Sequence, residues 1–465
     1  IKEVLQLSDE DTVASIAETP AMQYFLGLEK FVQEIPFDPS SLVHFRKRFG
    51  LEFLQEVNDL LTEKGRKQAG EKKRQGKSDL KSPGGDGDSN HSDGLLSGAG
   101  GNSAKKEDSK ESPKQGKLIL DATCAPADIR YPTDLSLLNE AREKSEGIID
   151  TLYAHSMWKK KPRTYRQKAR KQFSKLARKK KLTRKEIRRG IRQQLGYIRR
   201  NLGHIDRLLE EVSLSVLSRR QYRNLLVIHE VFRQQSHLLK STSRSLPGRI
   251  VSLSQPHVRP IVRGKASAST EFGAKLSASV CSDGFVSLDR LDFSPFNEAL
   301  DLMDQVEAYR RKTGFYPEAV LADKIYRNRD NHRWCKARGI RLSGPRLGRP
   351  PSSATLRKEQ KRQNRQDERE RNAIEGKFGQ AKRRFGLSRV MARLKETSES
   401  AIAMSFVVMN LMKLLELFFL LIFRCRLLLN MLFQTEYQRV YEDLSVFITR
   451  LNKHKSGLIL RLAKT

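Results

Sequence analysis

The stretch PEAVLADKIYRN, residues 317–328, is an apolar run that leads into an acidic residue, Asp323. The run KLILDATC, residues 117–124, has the same character and contains Asp121. Short apolar runs of this kind are typical of buried strands. Between them lie two more strand-like runs, EFGAKLSASV and GFVSLDRLDF, and a helical segment that Gly314 ends. This order predicts a mixed α/β core over 117–138 and 246–424, with a carboxylate on each of two strands.

A third carboxylate is expected from a long charged helix over 354–391. In its segment RNAIEGKFGQAKRRFG, residues 371–386, Arg371, Glu375 and Lys382 lie at offsets of 0, 4 and 11. At about 100° per residue, these positions fall within roughly 40° of one another on the helix surface. One helix face would then present a metal-binding carboxylate with two cations. The alternative is an exposed Arg–Glu pair, which is common at this spacing.

The net charge points to a polyanionic partner. The chain has 465 residues, with 89 Lys and Arg against 54 Asp and Glu, and a formal net charge of +35. An excess of this size argues against an ordinary metabolic enzyme and favours nucleic acid as the partner. Residues 159–200 hold twenty Lys and Arg and one acidic residue. We expect 139–245 to be a basic helical insertion that binds DNA, although a charge run is usually a solvated face. Its predicted DNA contacts are Lys159, Lys160, Lys161, Arg163, Lys179, Lys180 and Lys181.

The remaining segments differ in composition. The pattern of residues 1–65 predicts short helices. Two of them are SLVHFRKRFG and LEFLQEVNDLLTEKGRK. This pair forms either a helix-turn-helix that docks on DNA or a plain helical hairpin. Residues 66–116 are rich in Gly, Ser, Lys and Asp and predict a disordered linker. The apolar segment 401–423 contains charged residues, which favours a packed core helix over a membrane span. Residues 425–465 form a basic tail. Because the sequence begins at Ile1 inside a helical pattern, we expect that its natural N-terminus is missing.

The residue types favour one kind of metal. The four cysteines are scattered, which argues against a disulfide framework and a zinc finger. Three carboxylates without a Cys or His cluster suit Mg²⁺, a hard cation that prefers oxygen ligands. Two such ions roughly 3.5–4 Å apart activate an attacking water or hydroxyl and stabilise the leaving oxygen of a phosphodiester. The sequence has no phosphate-binding Gly-rich loop, and we expect no ATP.

Segment 371–386 resembles the Tyr-x2-Arg-x3-Glu-x6-Lys signature of DDE transposases from bacterial insertion sequences. Arg371, Glu375 and Lys382 match it, and Glu368 stands at the Tyr position. LILDATCAPADIRYPTD and VLADKIYRNRDN resemble the regions of the first and second Asp, and QPHVRPIVRGK and EFGAKLSASV resemble the strands between them. The resemblance covers roughly residues 1–50 and 117–415.

This resemblance implies an RNase H-like catalytic core in which Asp121, Asp323 and Glu375 bind two Mg²⁺ or Mn²⁺ ions. It further implies that the protein recognises terminal inverted repeats, cleaves the element ends and joins the freed 3′-OH to target DNA. We expect Arg371 and Lys382 to position phosphates. Two other functions stay open. One is an RNase H-like nuclease without strand transfer, and the other is an inactive transposase-derived DNA-binding protein.

Further candidate DNA contacts are Arg259 and Lys275, although structural roles are the more common ones for such residues. Packing is also the commoner role for His257 and Trp334, and Arg346 and Arg349 lie in an Arg-Pro loop of the kind that enters minor grooves. Lys324 would lie on the opposite side of the strand from Asp323. We expect double-stranded DNA as the partner and a homodimer or larger assembly on DNA. We expect a cytoplasmic, nucleoid-associated bacterial protein without a membrane span.

Overall fold

The computed structural model of the chain describes residues 1–78, 114–241, 245–262, 270–345, 348, 353–420, 422, 423 and 426, and only the backbone of 67–78. Residues Ile1–Met409 form one compact unit, and Asn410 begins a second. Most of the predicted linker, 79–113, lies outside the described residues, as do Arg346, Arg349 and nearly all of 425–465.

A six-stranded mixed sheet lies at the centre of the first unit, which confirms the predicted mixed α/β class. The strand order is β2-β3-β1-β5-β6, and β4 also pairs with β3. β1 pairs antiparallel with β3 and parallel with β5. The strands are β1 (Lys117–Pro126), β2 (Arg259–Val262), β3 (Thr270–Cys281), β4 (Val286–Asp292), β5 (Ala319–Ala322) and β6 (Arg341–Leu342).

Gly273 allows β3 and β1 to approach closely at their ends. It pairs with Pro126 of β1 and with Arg259 of β2. A Cβ atom at this position would lie 2.0 Å from the carbonyl oxygen of Ala125. A side chain here would therefore push the two strands apart.

In the part of the chain described before the sheet there are five helices. The last of them runs to Ser78, beyond residue 66, where the sequence predicts that the linker begins. It covers the outer strand β4, because Gln55 Nε2 donates to the carbonyl of Leu288 (3.1 Å) and Asn58 Nδ2 donates to that of Val286 (3.2 Å). These helices are α1 (Lys2–Leu5), α2 (Asp9–Glu18), α3 (Pro20–Phe25), α4 (Ser41–Arg48) and α5 (Leu51–Ser78).

Between β1 and β2, the described residues form four helices with their own apolar core. A capping box starts the third of them, where Thr183 and Glu186 bond each other's backbone N–H groups. The apolar side chains of this helix are buried, with Ile198 and Ile205 fully enclosed. The chain leaves and re-enters the sheet at neighbouring points, since Gln255 Nε2 donates to the carbonyl of Asp128 (3.0 Å). The helices are α6 (Asp134–Ala154), α7 (Arg166–Ala177), α8 (Arg184–Leu209) and α9 (Arg219–Lys240).

Three further helices pack on or near the sheet. The longest is fixed by two ion pairs from strands: Arg341 of β6 binds Asp367, and Lys117 of β1 binds Glu370 (2.7 Å). Its buried residues include Ile374, Phe378 and Ala381. Because this apolar face is buried, the rotation of the helix about its own axis is fixed. These helices are α10 (Leu302–Thr313), which Gly314 ends in a left-handed conformation, α11 (Arg329–Ala337) and α12 (Ala354–Arg384).

The predicted apolar helix is α13 (Lys395–Leu420), and the boundary between the two units falls inside it. Among the described residues, it is the one helix long and apolar enough to cross a membrane by length and composition. Within the first unit Ile402, Phe406 and Met409 are buried, and Ser405 Oγ donates to the carbonyl of Phe385 (2.7 Å). That part of α13 is therefore a packed core helix.

Candidate active site

Asp121 and Asp323 lie side by side at one level of the sheet. The parallel pairing of β1 with β5 aligns Leu120 with Ala322, and each of these residues directly precedes one of the two aspartates. Asp121 belongs to β1, whereas Asp323 is the N-cap residue of a short 3-10 turn, Lys324–Tyr326. Parallel neighbouring strands thus deliver both carboxylates to one place.

The predicted face of α12 lines the same cavity as the two aspartates. Arg371 is the central cation: its Nη2 lies 3.1 Å from Glu375 Oε1, and its Nη1 lies 3.9 Å from Asp121 Oδ2. Glu375 is 54% exposed, whereas the side chains of Arg371 and Asp121 are about one-fifth exposed. The cavity has a volume of about 700 Å³, and its charged lining residues are Asp121, Lys275, Glu298, Asp323, Arg371, Glu375 and Lys382.

Burial raises the pKa of Asp121 to about 6. A hydrogen bond from the backbone N–H of Ala122 (2.8 Å) and the nearby Arg371 lower this pKa, and the charges of Asp323 and Glu298 raise it. Desolvation disfavours the ionised carboxylate, and like charges add to the effect. A positive ion beside Asp121 would therefore relieve both penalties.

The donor set of the cavity is suitable for a hard cation, since it supplies carboxylate oxygens and neither His nor a second soft ligand beside Cys124. However, no group of three or more His, Cys, Asp and Glu side chains among the described residues is arranged to hold a metal ion. Arg371 pairs with Glu375 and approaches Asp121, so a cation of the protein already stands between two of the three predicted ligands.

Lys275, a predicted DNA contact, lines the cavity, but it already has internal partners. Its Nζ forms an ion pair with Glu298 and donates to the carbonyl of Phe296 (2.8 Å), and it lies 4.9 Å from the Phe296 ring centroid. Glu298 is the charged residue that sequence reasoning missed. It lies in a 3-10 turn that Asn297 caps, and no periodic pattern or motif marks such a turn.

The other single candidates lie outside the lining of this cavity. Arg259 is partly buried, and its guanidinium donates to the carbonyl of Val258 (3.0 Å). His257 packs edge-on against Phe293, and burial lowers its pKa to about 4. Trp334 packs under the guanidinium of Arg338, 3.9 Å from its ring centroid. Glu368, at the Tyr position of the signature, is exposed.

The seven predicted cations of segment 139–245 are all exposed, but they are not equivalent. Lys161 forms an ion pair with Asp150 (2.7 Å), and Lys179 forms one with Glu186. Arg163 lies over the ring of Tyr165. None of the seven lines the cavity. They lie on the α6–α7 and α7–α8 connections, so any contact with DNA there would be separate from the carboxylates.

Comparison with known proteins gives two family matches. Residues 320–412, which include Asp323, Arg371, Glu375 and Lys382, match the transposase DDE domain. Residues 1–48 match a second family described as a transposase domain. The chain is also 42% identical over 57 residues to an uncharacterized protein, ORF8 in the nfe locus of Rhizobium meliloti. That match covers 12% of this chain and spans 28% of the relative's length. The two family matches support a DDE transposase of an insertion sequence.

Proposed function

We propose that the chain is a DNA transposase that binds the terminal inverted repeats of an insertion sequence, cleaves the element ends and joins the 3′-OH to target DNA. The observation that carries this proposal is that one cavity is lined by residues from β1, from the turn after β5 and from the distant helix α12, namely Asp121, Asp323, Glu375, Arg371 and Lys382. The two transposase family matches support the same reaction class.

In this proposal the sheet is an RNase H-like core. Asp121 and Asp323 are the pair of ligands fixed by strand register, and Glu375 completes the set from α12. Two Mg²⁺ or Mn²⁺ ions, when bound, would activate the attacking water or 3′-OH and stabilise the leaving oxygen. Arg371 moves from the carboxylates to a DNA phosphate when DNA arrives, and Lys382 holds a phosphate from the same helix face. Both cations neutralise charge beside the reacting phosphodiester.

The basic side of the insertion and the N-terminal helices hold the element DNA. The charge of residues 159–200 provides a surface that DNA phosphates would occupy with release of counterions, so affinity falls steeply with salt. Joining two element ends requires two active sites, and we infer a homodimer or larger assembly on DNA. We place the protein in the bacterial cytoplasm with the nucleoid.

The test uses purified full chain, Mn²⁺, and labelled duplexes that carry the inverted repeats flanking the coding sequence. Asp121→Asn, Asp323→Asn and Glu375→Gln should each lower end cleavage by at least about 10³-fold while binding of the duplex is kept, because each removes one charged ligand. Glu359→Gln, an exposed substitution on the same helix α12, is the matched control and should leave cleavage unchanged.

The products separate the alternatives. Cleaved ends that also appear joined to a second duplex establish transposition, whereas cleavage without joined product indicates a nuclease of the same fold. Full cleavage by any of the three variants contradicts the role of that residue. Binding without cleavage by the unaltered chain, at every Mg²⁺ and Mn²⁺ concentration, would identify an inactive DNA-binding protein.

A further inference from the structure

The connection between α6 and α7 ends in an unusual backbone conformation at Tyr165. Its φ of 56° and ψ of 27° lie in the left-handed region, which only one other non-glycine residue of the described chain adopts. This conformation is costly for a bulky side chain and persists where neighbours fix it. Here the neighbours do so, because Thr164 is buried and Arg166 binds Asp150 through two hydrogen bonds of 2.7 and 3.0 Å.

Two guanidinium groups lie over the Tyr165 ring. The Cζ atoms of Arg163 and Arg200 lie 4.8 and 4.6 Å from its centroid. Arg200 also lies 5.9 Å from the ring of Tyr197, whose hydroxyl donates to Gln172 (2.9 Å). The left-handed turn therefore brings an arginine of the connection and an arginine of α8 to the same aromatic side chain.

Arg163 and Arg200 keep their charge available. Both are exposed, and in the described part of the chain neither forms an ion pair with a carboxylate. Neighbouring cations differ in this respect, since Asp150 binds Lys161 and Arg166, and Glu186 binds Lys179. A guanidinium held over a ring still has N–H donors, and these match the oxygens of a phosphate.

We propose that Arg163, Tyr165 and Arg200 form a preformed phosphate clamp through which the insertion binds the backbone of duplex DNA. This inference rests on the proposed DNA-binding function and names the part of the insertion that makes the contact. The two arginines are held before DNA arrives, so less side-chain freedom is lost on binding than for a free lysine. Contacts of this kind are to phosphates and position the duplex without reading its sequence.

The decisive substitution changes no charge. Tyr165→Phe keeps the ring and should bind DNA as the unaltered chain does, whereas Tyr165→Leu removes it and should weaken binding by about three- to tenfold. The weakening should be equal for a duplex that carries the inverted repeat and for an unrelated duplex of equal length. Tyr222→Leu is the matched control, because Tyr222 is an exposed tyrosine of the same insertion (44%) and should be neutral. Binding is measured by fluorescence anisotropy at several salt concentrations.

Arg163→Ala and Arg200→Ala should weaken binding to a similar degree. Each of these two variants should also make the slope of log K against log salt shallower by about 0.9, because each removes one charge. Tyr165→Leu removes no charge and should change this slope less. If the unaltered chain binds neither duplex, the DNA-binding proposal fails and the clamp with it. If the chain binds and Tyr165→Leu is folded but unchanged in affinity, the clamp alone is wrong. If Tyr165→Leu loses its circular dichroism spectrum, Arg200→Ala decides, and unchanged affinity in that variant overturns the clamp.

Discussion

The guanidinium of Arg341 makes two hydrogen bonds to the carboxylate of Asp367, which is 3% exposed. One of them, from Nη2 to Oδ1, is 2.9 Å long, and Gln363 donates a third bond to the same oxygen. Arg341 belongs to β6 and Asp367 to α12, so this pair fixes the rotation of the helix against the sheet. The face with Arg371 and Glu375 is directed into the cavity as a result.

Arg341→Met should lower the free energy of unfolding by roughly 2–3 kcal/mol, because it leaves the buried Asp367 carboxylate without its charged partner. Urea denaturation followed by circular dichroism measures this loss. Arg365→Met, at an exposed position of the same helix, is the control and should change stability by less than about 0.5 kcal/mol. Equal midpoints for the two variants would contradict the role of the pair.

The free energy of unfolding should depend on pH through Asp289. Burial raises its pKa to about 7, while Lys312, Gln305 and Ser279 act in the opposite direction. The folded state then holds the proton more tightly than the unfolded state, so the free energy of unfolding falls as pH rises from about 4 to about 7. Asp289→Asn removes this term, at about 1.4 kcal/mol for each unit of pKa shift.

Stability curves of Asp289→Asn and the unaltered chain should therefore diverge in favour of the variant between pH 4 and pH 7 and run parallel above pH 7. The exposed Asp304→Asn serves as the control on the adjacent helix α10. A constant difference between the Asp289→Asn curve and that of the unaltered chain would show that Asp289 titrates normally.

Neighbouring lysines of segment 139–245 should contribute unequally to DNA binding. Lys160 and Lys180 are exposed beside Lys161 and Lys179, which bind Asp150 and Glu186. Lys160→Ala and Lys180→Ala should each make the salt dependence of DNA affinity shallower by up to about 0.9 in the log–log slope. Lys161→Ala and Lys179→Ala should change the slope less, because those amines already have partners. The same slope change in all four variants would show that the internal pairs open on DNA.

Arg371→Gln should strengthen Mn²⁺ binding in the absence of DNA. Its guanidinium stands 3.9 Å from Asp121 and 3.1 Å from Glu375, so its removal takes a positive charge from the place where a cation would bind. Electron paramagnetic resonance of free Mn²⁺ measures this affinity, and a gain of about fivefold or more is expected. Arg365→Gln is the control. An unchanged affinity would mean that Arg371 does not compete with metal.

Asp121 and Asp323 could be placed together from the sequence, because both end or interrupt apolar runs that pair in parallel. The face of α12 could also be predicted, since helical spacing alone aligns Arg371, Glu375 and Lys382. Glu298 could not be found this way, because a 3-10 turn has no periodic pattern.

The ion-pair partners of the basic residues also could not be predicted from the sequence. Lys275 was predicted as a DNA contact from its position on a strand, yet a carboxylate 23 residues away neutralises it. Lys161 meets Asp150 only because the α6–α7 connection turns back on α6. A run of basic residues predicts a positively charged surface. The fold then decides which of these residues form internal ion pairs and which can contact DNA.

The position of β1 in the sheet has a consequence for synthesis. Its parallel partner β5 follows it by about two hundred residues, and its antiparallel partner β3 follows by about 150. At roughly 5–20 residues per second, a translating ribosome needs about 10–40 s to deliver β5 after β1. The intervening helices can close their own core during that time, since their contacts are local. The nascent chain can thus carry folded helices while the apolar strand β1 is still without its neighbours, and an unpaired strand of this kind is prone to aggregation.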